Sequence, residues 1–200
     1  MNSAVKNIIC LTLITLAAGL GLGFVHDVTL EPIARMEADT KLNAYKKVFP
    51  EADSFSEPFD TTDTSSLIAA SGIEGVDIDS AVQAVDSAGA VIGYVISVTT
   101  HQGYGGDISI SMGIDNAGTV KGIEILKISE TAGLGMKAKE EGFKNQFANK
   151  AVKQFAYTKT GAKSDFEIDA ISGATITTKA VTNAVNAGIV YFSTLGGDGQ

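Results

Sequence analysis

The stretch Asp169-Ala-Ile-Ser172-Gly173-Ala174-Thr175-Ile-Thr177-Thr178 puts a carboxylate, a small Ser-Gly-Ala step and a set of hydroxyls at the mouth of a helix. The helix is read from Val181, Ala184, Val185, Gly188, Ile189 and Phe192, which recur at three- and four-residue spacing. Ser172 is the expected N-cap, its oxygen accepting from the first unpaired backbone N–H groups. A helix start offers free N–H donors and the positive end of the dipole, which together suit a phosphate. Gly173 and Ala174 allow close approach, and Thr175 carries a hydroxyl beside the place a phosphate would take. The same residues also describe an ordinary capped helix start, and the short motif leaves both readings open.

Two glycine-rich loops are the other candidates. In His101-Gln-Gly-Tyr104-Gly-Gly106, three glycines around a tyrosine fit either a plain turn or a loop that approaches a flat ligand. His101 reads as a polar loop residue rather than a ligand or base. Ser129-Glu130-Thr131-Ala-Gly-Leu134-Gly135 stands before a helix expected over 136–149 and is a candidate anion cradle. It has neither the GxGxxG spacing nor the Lys-Ser/Thr ending of a P-loop. With one Cys and two His there is no internal disulfide, no metal site and no nucleophilic triad to assign. No catalytic residue is expected.

The elements that must hold these residues read as an α+β domain with an antiparallel sheet and flanking helices. Residues 81–86 and 91–98 form one hairpin across Ser87-Ala-Gly-Ala, and 107–114 and 119–128 a second across Asp115-Asn-Ala-Gly. Ahead of them, residues 51–80 are rich in Ser, Thr, Asp and Gly and read as an irregular connection. A helix is expected to open at Thr29, with Pro32 in its first turn, a stripe of Ala34, Ala38, Leu42, Tyr45 and Phe49, and a stop at Pro50. The expected organisation is 1–27 membrane anchor, 28–50 juxtamembrane helix, 51–80 connection and 81–200 ligand-binding domain.

Residues 8–25 carry no charge, which suits a span of a hydrocarbon core ~30 Å thick. The end of this run lacks a small-residue cleavage site, so an uncleaved anchor is expected, with Cys10 buried within it. Lys6 precedes the span, and Asp27, Glu31, Glu37 and Asp39 follow it. This bias places the N-terminus in the cytoplasm and the bulk of the chain outside. Gly19, Gly21 and Gly23 could pack against other membrane helices. The chain has 200 residues, 44% of them hydrophobic, and a formal charge of −8. It has core enough for one domain and no basic stripe, so nucleic acid is not an expected partner.

Asp-x-x-Ser-Gly-Ala-Thr resembles the flavinylation motif of the FMN-binding domains in Rnf and Na⁺-translocating NADH:quinone reductase complexes. The segments TLEPI, KVFP, GYGG, DNAG, SETAGLG and DAISGAT stand in the order expected of the Rnf family of G subunits and cover nearly the whole chain. The resemblance implies a covalent FMN, joined through its phosphate to Thr175 by a flavin transferase that recognises a motif containing Asp169. Thr177 and Thr178 are the alternative anchors. It implies that Ser172, Gly173 and Ala174 surround the phosphate, and that Glu130, Thr131, Leu134 and Gly135 lie near the ring. Lys137 is expected at the polar edge of the flavin, and Tyr104 contributes from its loop. It further implies an electron carrier in a ferredoxin:NAD⁺ oxidoreductase, working between a membrane iron–sulfur centre and the FMN of the Rnf D protein. The Rnf A, D and E proteins would be membrane partners, with the B and C proteins in the wider complex. The sequence departs from the family pattern at Ala132, at Ile128-Ser129 and at Asp107, where Pro, His and Pro respectively are common. Alternatives are the C protein of the quinone reductase, a membrane-tethered nucleotide-binding or sensor module, and a structural protein in which SGAT only caps a helix.

Overall fold

One solution closes both hairpins. Asp86 accepts the N–H groups of Ala88 and Ala90 on Oδ1, both at 2.9 Å. Asp115 accepts those of Ala117 and Thr119 at 3.0 and 2.9 Å. The glycine three residues after each aspartate, Gly89 or Gly118, takes a φ of 81°. An aspartate that bonds its own turn, followed by a left-handed glycine, sets a tight hairpin with a bulge. The turns join β2 (Val76–Val85) to β3 (Val91–Thr100) and β4 (Ile108–Asp115) to β5 (Val120–Lys127). Because β3 also pairs with β4, and the short β1 (Ser54–Phe55) pairs with β2, the two expected hairpins become one antiparallel sheet in the order β1-β2-β3-β4-β5.

In the computed structural model, residues 2–59, 61 and 64–195 are described. Met1 of the expected anchor, residues 60, 62 and 63 of the expected connection and residues 196–200 of the expected domain lie outside the described residues. The chain divides into two compact units, Met1–Thr40 and Lys41–Gln200. The first is the greater part of a single helix, α1 (Ser3–Val48), which contains an 18-residue window apolar enough to cross a membrane. Cys10, expected to be buried, is exposed on the apolar stretch of this helix. The helix expected to open at Thr29 is not separate, since α1 runs through Pro32 without a break. Of its expected stripe, Tyr45 and Phe49 are buried, while Ala34, Ala38 and Leu42 are exposed.

In the second unit the sheet is covered on both faces. Strand residues alternate, so Ile96 and Val98 point one way and Val95 the other. The long C-terminal helix α4 (Thr175–Phe192) lays Ala180, Val181, Ala184, Val185 and Ala187 on the first face. Gly188 brings it close, for a methyl there would sit 2.1 Å from Met112 Sδ. On the second face Tyr45, Val48 and Phe49 pack against Val82, Ala84 and Val95. Gly93 and Gly113 make room for the Phe49 ring, which a methyl on Gly93 would meet at 2.5 Å.

The supposed connection over 51–80 instead holds β1, α2 (Thr64–Ala70) and the start of β2. Ile68, Ile73, Val76 and Ile78 are buried and tie α2 and the start of β2 to the core. The helix expected over 136–149 is broken into a 3₁₀ turn (Gly135–Lys139), α3 (Glu141–Lys144) and a second 3₁₀ turn (Asn145–Phe147). Gly135 and Gly142 weaken a continuous helix there. Phe143, Phe147 and Phe155 stack edge to face at 5.6 and 5.1 Å and fix the shorter path. Burial works to lower the Lys144 pKa, but its contacts with Glu124 at 2.6 Å and Glu141 at 2.8 Å prevail and raise it. A parallel pair, β6 (Ala156–Thr158) and β7 (Glu167–Asp169), leads into α4.

Phe49 is 2% exposed and fills the gap left by two glycines. Phe49→Ala is expected to cost about 3–5 kcal/mol, read by thermal unfolding of the detergent-solubilised chain. A loss below about 1 kcal/mol would mean that the end of α1 is not part of this core.

Candidate functional site

Three segments distant in sequence meet at a cleft of about 580 Å³. Its lining comprises Tyr104 from the loop before β4, Glu130, Thr131, Leu134 and Gly135 from the loop after β5, and residues 173–177 at the start of α4. Eight of the ten residues expected to bind a cofactor therefore lie together: Tyr104, Glu130, Thr131, Leu134, Gly135, Gly173, Ala174 and Thr175. Ser172 and Lys137 are exposed and do not line the cleft.

Glycines allow this convergence. A methyl on Gly105 would sit 2.1 Å from Ser129 O, and one on Gly103 would sit 2.1 Å from Gly106 O and 2.9 Å from Glu130 Oε1. One on Gly135 would be 2.7 Å from Glu130 Oε2 and equally close to Thr177 Oγ1. The Glu130 carboxyl, 8% exposed, accepts the Tyr104 N–H at 2.7 Å and the Gly105 N–H at 3.3 Å, joining the first two loops. Gln102 ties the first loop to α4 by accepting from Asn183 Nδ2 at 2.9 Å.

The start of α4 differs from expectation in one respect. Its N-cap is Ala174, not Ser172, and no side chain caps it. Ser172 is exposed in the turn that closes through Ala174 N–H to Ile171 O at 2.9 Å. Gly173, at a φ of 79°, bends the chain there, and a side chain would run into Leu134. The first-turn N–H groups thus lack a side-chain acceptor at the cleft, an arrangement that favours an anion. The hydroxyls sort by environment. Thr175 is half-buried and lines the cleft. Thr177 also lines it but is 1% exposed. Thr178 is fully buried, accepting from Ile171 N–H and donating to Ala174 O, both at 3.0 Å. Asp169 is fixed as well. Its carboxylate accepts the Ala162 N–H at 2.5 Å, and its own N–H donates to Gln146 Oε1 at 2.6 Å.

Around this polar corner the cleft presents apolar surface. Tyr104 is 72% exposed, and Leu134 and Ile176 are also exposed. An uncapped helix start beside three exposed apolar side chains fits a phosphate attached to a flat, weakly polar ring. Ile176 went unnoticed in the sequence. The available signal was an isoleucine next to Thr175 that does not belong to the buried stripe of α4. Among the described residues no cluster of His, Cys, Asp and Glu could hold a metal ion.

His101 secures the base of the tyrosine loop. Its Nε2 lies 2.9 Å from Asp77 Oδ2 and its Nδ1 2.9 Å from Asp107 Oδ1. Two carboxylate acceptors require two N–H donors, which only the imidazolium provides. The hydrogen bonds to Asp77 and Asp107 accordingly raise the His101 pKa above 6.5. With the folded value above the unfolded one, this contribution to stability is complete below about 6.5 and is lost as pH rises through the folded pKa. An imidazole NMR titration is expected to show a midpoint above 6.5 that falls in Asp107→Asn. An unchanged midpoint would contradict the double bridge.

Comparison with known proteins identifies the family. A family model described as FMN-binding domain matches residues 103–190, a range that holds all three cleft segments. The chain is 33% identical to the G subunit of the Na⁺-translocating ferredoxin:NAD⁺ oxidoreductase complex of Acetobacterium woodii, over 92% of this chain and 89% of that one. It is 30% identical to the G subunit of the ion-translocating oxidoreductase complex of Methanosarcina acetivorans, over 94% of both. Among solved structures, the crystal structure of Shewanella oneidensis NqrC aligns with 58% of this chain and 60% of that one, at 19% identity and a TM-score of 0.49. With a relative at 33% identity matched along almost its whole length, the chain belongs to the family of G subunits of ion-translocating oxidoreductase complexes and contains that family's FMN-binding domain.

Proposed function

We propose that this chain is the electron-carrier subunit of a membrane-bound, redox-driven ion translocase, and that its FMN is held covalently through Thr175. The observation that carries the reading is the meeting of Thr175, an uncapped helix start and an apolar wall at one cleft. The attachment would be a phosphoester: the Thr175 Oγ1–H bond breaks, Oγ1 bonds to the phosphorus of the FMN unit, and the group carried on that phosphorus by the flavin nucleotide that the flavin transferase uses departs. Accessibility favours Thr175 over its neighbours, because Thr177 is nearly enclosed and the Thr178 hydroxyl is engaged twice inside the fold.

Bound FMN supplies the electron-accepting and electron-donating chemistry, and the protein supplies position and electrostatics. The N–H groups of the first α4 turn face the phosphate. Leu134, Ile176 and Tyr104 offer apolar contact to the ring and limit water beside it. Gly135 and Gly173 keep side chains out of the space. An electron carrier of this kind needs no general base and no nucleophile. Lys137 stands outside the cleft lining and would reach a flavin edge only across the 3₁₀ turn that carries it.

The apolar part of α1 anchors the domain, with the N-terminus in the cytoplasm and the FMN domain on the other side, as the flanking charges favour. The relatives' names place them in complexes with ferredoxin and NAD⁺ as redox partners or with ion translocation as the outcome. By family membership we assign the same kind of complex here, with the other Rnf proteins as partners.

The test is a denaturing gel viewed under ultraviolet light, after co-expression with a flavin transferase and export. Wild type is expected to fluoresce and Thr175→Ala to be dark. A fluorescent Thr175→Ala band would move the anchor elsewhere. Two dark bands beside a labelled control protein would overturn the covalent reading in favour of a dissociable nucleotide.

A further inference from the structure

Glu130 is the single charged side chain among the described residues that line the cleft. Among the described residues it forms an ion pair with no lysine, arginine or histidine. Its two oxygens are used differently. Oε1 is bonded to the backbone of Tyr104 and Gly105 at 2.7 and 3.3 Å. Oε2 lies against the bare face of Gly135, opposite Thr177 Oγ1. Two backbone N–H donors stand in for water on one side of the carboxyl, and no lysine, arginine or histidine among the described residues pairs with it.

We propose that Glu130 is a positioning residue with a second, electrostatic role: through Oε1 it fixes the Tyr104 loop as a wall of the cleft, and through its charge it lowers the reduction potential of the flavin held there. The second half rests on the function proposed above. Adding one electron makes the ring more negative by one unit unless a proton follows. A neighbouring anion that is itself shielded from water, as Glu130 is at 8% exposure, therefore disfavours the reduced form. The glycines give the geometry its purpose. A side chain at position 103 would meet Oε1 at 2.9 Å and one at position 135 would meet Oε2 at 2.7 Å, so either would displace the carboxyl from the loop it holds.

Two variants separate the roles. Glu130→Gln keeps an oxygen acceptor and removes the charge, whereas Glu130→Ala removes both. Amide hydrogen exchange on the full chain without flavin reads the loop. Exchange at Tyr104 and Gly105 is expected to accelerate in Glu130→Ala, to stay near wild type in Glu130→Gln, and to be unchanged in β2–β5 for both. A redox titration of the flavin-loaded chain reads the charge. Glu130→Gln is expected to raise the reduced-to-oxidised ratio roughly tenfold at a given applied potential, about 59 mV for a one-electron couple.

Unchanged exchange at Tyr104 and Gly105 in Glu130→Ala overturns the positioning role. Acceleration across the whole sheet also overturns it, since Glu130 would then be a general folding residue. A Glu130→Gln potential equal to wild type overturns the charge role. A wild-type chain that takes up no flavin defeats the proposed function and the charge role together, while the exchange measurement still decides the positioning role.

Discussion

The cleft depends on three stretches of backbone coming closer together than side chains permit. Gly103 and Gly105 let the tyrosine loop touch Ser129 and Glu130, and Gly135 lets the next loop touch α4 at Thr177. Gly173 turns the chain under Leu134. Close approach alone would leave buried N–H groups without acceptors, which costs about 1–3 kcal/mol for each. Glu130 meets that need for Tyr104 and Gly105, and Thr178 meets it for Ile171. The remaining N–H groups, at the start of α4, have no side-chain cap. The proposed function assigns them to the phosphate of FMN.

On the proposed function, a threonine in a helix start would anchor the cofactor without disturbing the fold. The residues around Thr175 are fixed by other means: Asp169 by Gln146 and Ala162, Thr178 by its two hydrogen bonds, and the body of α4 by its apolar face on the sheet. Thr175 itself has no comparable duty in the core. Its modification would add contacts in the cleft without removing any that hold the domain together. The neighbouring hydroxyls could be modified only at the expense of packing.

Much of this was legible in the sequence, and the reason differs from place to place. The hairpins declared themselves because Asp86 and Asp115 act through local chemistry within their own turns. The α4 stripe was readable because its whole face is buried against one sheet. The merging of the hairpins into a single sheet depends on β3–β4 pairing, which has no local signature. α2 and the start of β2 were hidden because Ile68, Ile73, Val76 and Ile78 are few and widely spaced among polar residues. Pro32 suggested a helix start, yet a proline inside a helix forfeits one donor and need not end it. At the site, motif resemblance named most of the lining residues. The local reading of the helix start misplaced the cap at Ser172, because a serine before a helix caps only if the chain turns in the right direction. Here Gly173 turns it away.

The central claim is that Thr175 carries the cofactor by a covalent bond. It is tested most directly by peptide mass spectrometry of the chain matured with a flavin transferase. The account predicts that the peptide containing Thr175 gains the mass of FMN less one water, with fragment ions placing the addition on Thr175 and not on Thr177 or Thr178. An unmodified peptide from a preparation in which a control protein is labelled, or an addition localised to another residue, would contradict it.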